Sequence, residues 1–288
     1  MFSRYSAEMG TTGTDEIERT IMARSSPVEM FKDVIRPTGV TVNALGEVVV
    51  TEEGRHCVSI FRPAAAVPFS FGSSYLKKPC GVATKDDKIF VVDCEHHCVF
   101  IFNTNGHFIN SVGKLGSGNL EFNEPMGIAI HPKTNKIYVT EFKNSRIQVL
   151  DCDLKSSILF GKNTTFTQPW GVAFDSEGHV YVTDAGTHCV LVFEEDGTYM
   201  RKFGCKGEDV GQLSWPSSIA IDNKDLVYVT EDDNHRVSIF THMGRFKKSF
   251  GKKGTSTQEF HLPHGIAIDT NGLNVYISDH YNNRLLKY

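Results

Sequence analysis

Within VVDCEHHCVFIF, which begins at Val91, two cysteines and two histidines fall in five residues: Cys94, His96, His97 and Cys98. Thiolate and imidazole are ligands that zinc prefers, so the first chemistry this stretch suggests is a compact metal site. A second candidate is the set of acids Glu52, Asp93, Glu141, Asp184, Glu231 and Asp279, which would suit calcium or acid–base work if they converged on one point. Both readings depend on where the backbone places these side chains.

Periodicity answers that question. Five other segments align with IFVVDCEHHCVFIF without a gap: VVVTEEGRHCVSIF from Val48, IYVTEFKNSRIQVL from Ile137, VYVTDAGTHCVLVF from Val180, VYVTEDDNHRVSIF from Val227 and VYISDHYNNRLLKY from Val275. Upstream of each stands PTGVTV, PCGVAT, PMGIAI, PWGVAF, PSSIAI or PHGIAI, and subtraction puts the prolines 42 to 47 residues apart (Pro37, Pro79, Pro125, Pro169, Pro216, Pro263). A fixed period of this length marks a repeat architecture. Each unit reads as an apolar inner strand, a polar turn, a VYVT-like strand, a second turn, a VSIF-like strand and an outer segment such as GRFKKSFG. Six units of four strands predict an all-β, six-bladed β-propeller over residues 37–288. The middle of each inner strand is small (Thr41, Ala83, Ala129, Ala173, Ala220, Ala267), as blades converging on an axis require. The glycine after each Pro-x is expected to let the chain turn into that crowded strand; unit five carries Ser218 instead.

The register weakens both metal readings. Cys98 aligns with Cys57 and Cys189, and His97 with His56, His188 and His235, so each fills a repeat position. The cysteines are expected to be small buried hydrophobes. Five residues after each acid stands Cys57, Cys98, Arg146, Cys189, Arg236 or Arg284, a spacing that lets an acid pair with arginine across a tight turn and accept turn N–H groups. No metal and no cofactor is expected.

Composition excludes other classes. A formal charge of −4 over 288 residues is no global basic footprint, so any polyanion site must be local. No apolar run approaches a membrane span, and the first ten residues contain no signal-peptide core. Seven cysteines without paired spacing suit reduced thiols, and the expected compartment is the cytoplasm.

The turn Asp233-Asn234-His235-Arg236-Val237 and the two signatures around it resemble the NHL-repeat family over residues 37–288. That resemblance implies a six-bladed propeller. It also implies a recognition role, because many such propellers stand at the C-terminus of tripartite-motif proteins and recruit RNA or protein for a ubiquitin ligase carried by a RING segment. This sequence has no C-x-x-C pair and no heptad run, so neither RING nor coiled coil is read in it. A non-catalytic module is expected, either the recognition end of a longer protein or a propeller that works alone, and monomeric unless fused to a coiled coil. The alternative is a metal-dependent enzyme using the central channel, as in propellers resembling peptidyl-hydroxyglycine lyases or lactonases. Against it, His264 and His131 are expected at opposite ends of the inner strands, and no G-x-S-x-G, H-E-x-x-H or P-loop occurs.

Ring closure and the working face follow from topology. Tyr288 ends the chain after the third strand of unit six, so the outer strand of that blade must come from the N-terminal segment, residues 15–36. IERTIMAR from Ile17 is the first choice and VEMFKDVI from Val28 the second, with residues 1–14 a disordered tail. The Pro-x-Gly loops and the turns after the second strands share one face. It is expected to carry Arg36, Lys78, Met126, Trp170 and His264 near the axis, and Arg55, His96, Phe142, Lys143, Asn234 and Tyr281 further out. Aromatic side chains beside Lys and Arg suit stacking on single-stranded RNA. Glu52, Glu53, Asp232 and Asp233 on the same turns oppose a phosphate chain, so a protein partner is favoured. The basic run Arg245, Lys247, Lys248, Lys252 and Lys253 is expected to guard an exposed outer edge.

Overall fold

The computed structural model describes residues 26–63, 65–151, 153–161 and 165–288. Among them, six four-stranded antiparallel sheets form the six blades. In blade four the order from the axis outward is Pro169–Phe174, Val180–Asp184, Cys189–Phe193 and Tyr199–Phe203. The second strands, such as VYVTD, are buried at every position apart from Lys88 at the start of the one in blade two, because neighbouring blades cover both of their faces. That is why they read as near-continuous apolar runs instead of alternating ones. The core accordingly lies between blades: Tyr181, Val190 and Val192 of blade four pack with Val227, Val229 and Phe240 of blade five. Outer strands are half exposed, and Lys247 and Lys248 lie on the outer strand Phe246–Phe250, at the edge they were expected to guard.

The closing strand differs from the first expectation. Blade six, with Pro263–Ile268, Val275–Asp279 and Arg284–Lys287, is completed by Glu29–Phe31, which lies in the second-choice stretch. The pairs are Glu29 with Lys287, Met30 with Leu286 and Phe31 with Leu285. Residues 1–14 and 17–24 lie outside the described residues. The reason for the shift is the length of the connection. Residues 32–36 run directly from the closing strand to Pro37, with Val34 buried on the way, whereas the other outer-to-inner connections are longer loops.

The inner-strand glycines also serve a different purpose from the expected turn. A Cβ on Gly127 would stand 2.1 Å from the carbonyl oxygen of Trp170 in the next blade, one on Gly265 2.2 Å from that of Thr38, and one on Gly39 2.4 Å from that of Cys80. Glycine suits these three positions because adjacent inner strands meet backbone to backbone there, whereas blade five accommodates Ser218 in the same column. A threonine on the second strand closes the same seam. The hydroxyl of Thr140 accepts the Gly127 N–H at 2.8 Å and donates to the Trp170 carbonyl at 2.5 Å; Thr183 does the same with Gly171 and Ser217, and Thr230 with Ser218 and His264. Gly127→Ala should therefore destabilise the protein by about 1–3 kcal/mol through overpacking and displace the Trp170 loop. Ser218→Gly should change stability by less than about 1 kcal/mol. Urea unfolding of both variants checks this; equal midpoints would show that the seam yields freely.

Candidate functional site

The six acids do not converge on the axis. Each is fully buried, and it holds the loop that leads into its own blade. Asp184 accepts the N–H groups of Thr167 and Gln168 at 2.7 and 3.0 Å, and Glu231 accepts Ser214 N–H at 3.0 Å while pairing with Arg236 Nε at 2.7 Å. Their role is architectural, as the spacing indicated. The aligned cysteines are equally internal. Burial pushes the Cys57 thiol up to about 11 and the Cys98 thiol up to about 12, far from the thiolate that nucleophilic or metal chemistry needs.

The histidine column has a physical reason that the sequence did not disclose. His56, His97, Ser145, His188, His235 and Asn283 are all left-handed, with φ between 50° and 55°. From that conformation His97 Nδ1 accepts the N–H of Glu124 at 3.1 Å, His188 Nδ1 that of Trp215 at 3.1 Å and His235 Nδ1 that of Leu262 at 3.2 Å. Asn283 Oδ1 accepts Arg36 N–H at 2.8 Å across the seam that closes the ring. Each of these four is a staple from one blade to the residue before the next blade's proline, whereas His56 faces the Lys77 carbonyl oxygen and Ser145 donates to that of Thr167. His97 thus turns away from its sequence neighbours, and among the described residues no three His, Cys, Asp or Glu side chains gather as a metal-holding group.

The same staples present pre-proline side chains on the entrance face, and one of them is Trp215. It joins Phe142, Trp170, Met126, Lys78 and Glu124 around a groove of about 440 Å³. Phe142 meets Trp170 edge-on at 5.6 Å between centroids and Trp215 at 6.5 Å, and Lys143 Nζ stands 5.4 Å from the Phe142 ring. Met126, Phe142, Trp170 and Lys78 thus line one groove, with Lys143 beside Phe142. Trp215 was missed, although it occupies the column of Arg36 and Lys78, which was the available signal.

Toward the axis the groove opens on the central channel, about 390 Å³ in volume, whose walls are the six inner strands and whose mouth holds Glu53, Lys78, Trp170 and His264. His264 meets Trp170 at 5.8 Å and stacks on His280 at 4.4 Å with the rings 11° apart. His264 Nε2 lies 3.0 Å from Asp232, and Arg36 lies 3.0 Å from Glu53 with its guanidinium over the exposed Tyr281 ring at 5.9 Å. His131 is at the far end of its inner strand, where Nδ1 accepts the N–H groups of Lys133 and Thr134. The two histidines are separated as expected.

Three proposed contact residues stand apart from this cluster. Asn234 donates to the Gly207 carbonyl at 2.9 Å and to Glu231 at 2.6 Å, which makes it part of the turn. Arg55 is tied to Asp33 at 2.7 Å and clamps the connection after the closing strand. His96 is exposed on blade two, 3.4 Å from Asp93 and beside Phe100. Among the described residues no helix is long and apolar enough to cross a membrane.

Comparison with known proteins agrees with this geometry. A family described as a 6-bladed beta-propeller matches residues 72–166 and 212–288, and the NHL repeat matches residues 35–61 and 166–193. Protein brain tumor of Drosophila melanogaster is 29% identical over 130 residues, 44% of this chain and 12% of that protein. NHL repeat-containing protein 2 of Gallus gallus is 24% identical over 145 residues, 40% of this chain and 20% of that one. The matched segments are thus a small part of both relatives. Among solved structures, a gluconolactonase from Xanthomonas campestris superposes with a TM-score of 0.72 at 12% identity, covering 92% of this chain and 91% of that one. Virginiamycin B lyase from Staphylococcus aureus does so with 0.64 at 16% identity, covering 90% and 84%. At such identities the two enzymes share the fold alone, whereas the 6-bladed beta-propeller model matches more than half of the chain and the NHL repeat matches two further stretches: the chain belongs to that family of six-bladed β-propellers and carries NHL repeats.

Proposed function

We propose that the chain is a non-catalytic binding platform whose entrance face takes a protein partner, with Trp170, Phe142, Trp215 and Met126 as the anchor. The observation that carries this reading is the state of the charges over the entrance face as a whole. Arg36 is paired with Glu53, Arg55 with Asp33, Lys77 with Glu95 and His264 with Asp232, so most cations of the face already have a carboxylate. A phosphate chain would have to displace those acids, whereas half-buried aromatic side chains with Met and a polar rim are the composition of protein-binding hot spots. Lys78 and Lys143 make no ion pair among the described residues, and they are what a single-stranded RNA would use instead.

A channel enzyme is the less favoured reading. Val, Ile and Ala of the inner strands dominate the channel walls, and the titratable groups stand at the mouth, where a partner would meet them. The platform reading makes the chain a recognition module, consistent with the kind of propeller that tripartite-motif ubiquitin ligases carry, acting in the cytoplasm and as a monomer.

Ionic strength separates the partners. Trp170→Ala should weaken binding of a partner purified with the intact chain by about 1–3 kcal/mol. Lys143→Ala should have little effect, and affinity should change only slightly between low and moderate salt. RNA binding that falls steeply with salt, and whose salt slope drops in Lys143→Ala, would replace protein with RNA as the partner.

A further inference from the structure

The histidine stack at the channel mouth is built for one proton. His280 is 2% exposed, and its Nδ1 lies 3.0 Å from the Pro37 carbonyl oxygen. A carbonyl only accepts, so Nδ1 carries the hydrogen and a neutral His280 keeps Nε2 bare. That nitrogen lies 3.7 Å from Glu53, whose carboxylate is already held by Arg36. His264, stacked on it at 4.4 Å, has a counter-ion of its own in Asp232 at 3.0 Å. Asp232 is 5% exposed, and its Oδ1 has no partner. Two imidazolium rings at this distance would repel each other, and only His264 faces an acid not already occupied by arginine. The remaining charged neighbours of the pair are Lys78 and Arg36, both of which oppose a second proton.

We propose that the His264–His280 stack holds a single proton on His264, and that its loss releases Trp170 and retunes the entrance face near neutral pH. Deprotonation leaves Asp232 a buried carboxylate without a counter-ion. Relief comes when Asp232 and His264 move apart, and the edge of Trp170 rests on His264. The direction of the titrations agrees. Burial lowers the affinity of His264 for a proton, but the charge and hydrogen bond of Asp232, with a smaller contribution from Glu53, together outweigh it and raise the group above its ordinary 6.5. Burial, reinforced by His264, pushes His280 down to about 3. The stability from His264 is complete below pH 6.5 and is lost as pH rises through its folded value. The stability from His280 is present above 6.5 and is lost as pH falls toward about 3.

The effect on a partner rests on the binding role proposed above; the proton site does not, and it is tested without a partner. The chain has two tryptophans, both in the groove, so Trp215→Phe leaves Trp170 as the reporter. Histidine NMR titration and Trp170 fluorescence should share a midpoint above 6.5. Asp232→Asn should lower both midpoints by about one pH unit or more, and His264→Gln should abolish the fluorescence transition while circular dichroism is unchanged. A His264 midpoint at or below 6.5 in the intact chain, or a Trp170 transition surviving in His264→Gln, overturns the proposal. Loss of partner binding in Trp170→Ala bears on the platform reading alone, so the two can fail separately.

Discussion

Deletion of residues 1–31 should unlatch the ring. The deletion removes all three pairings between Glu29–Phe31 and Arg284–Lys287, together with the Val28 N–H bond to the Lys287 carbonyl at 2.8 Å. It also strips Met30 from the core of blade six and Phe31 from its edge-on contact with Phe61 of blade one at 5.0 Å. Losing one large and one medium apolar side chain from packed sites costs about 3–5 kcal/mol. The Lys287–Glu29 pair, largely exposed, adds little. The strand RLLK, with Leu285 and Leu286 fully buried in the intact protein, becomes a free edge and a template for pairing with another copy. A large fall in melting temperature and the appearance of dimers or larger species in light scattering are expected. Deletion of residues 1–25 should change neither. If the 1–31 deletion melts with the intact chain, closure does not depend on this strand.

Asp279→Ala should be the most damaging single substitution. Asp279 is fully buried, accepts the His261 N–H at 2.7 Å and pairs with Arg284 Nε at 2.7 Å. Arg284 is 6% exposed and its other nitrogens donate to the carbonyls of Thr255, Ser256 and Glu259. Removing the carboxylate leaves a guanidinium in the interior with no counter-charge and orphans a loop N–H, a loss of about 3–5 kcal/mol. The double variant Asp279→Ala/Arg284→Met should recover part of that loss, because the stranded charge is gone while the lost loop contact remains. Denaturant unfolding measures all three proteins. A double variant no more stable than Asp279→Ala would show that the damage lies in the loop and not in the charge.

Much of the architecture was readable because it repeats. Blade number and the inner three strands of each blade follow from local spacing that recurs six times, so a misreading in one unit is corrected by the others. The pairing of acid with arginine follows from the same spacing in the three units that carry Arg146, Arg236 and Arg284. The face that carries Met126, Phe142 and Trp170 follows from the same register. What occurs once was harder. The closing strand had two candidates of similar apolar content, and the choice of Glu29–Phe31 was made by the direct run to Pro37 and by the fit of Met30 and Phe31 into two different cores.

From the sequence alone come the fold and the positions that each blade must fill, since propensity and period act along the chain. Only the tertiary structure decided why the glycines are glycines, why a left-handed histidine recurs, that Trp215 joins Trp170 in one groove and that His264 lies flat on His280. Each is a contact between residues of different blades or different loops. The rotation from one blade to the next sets those distances, and no spacing along the chain encodes which loop tips that rotation brings within reach.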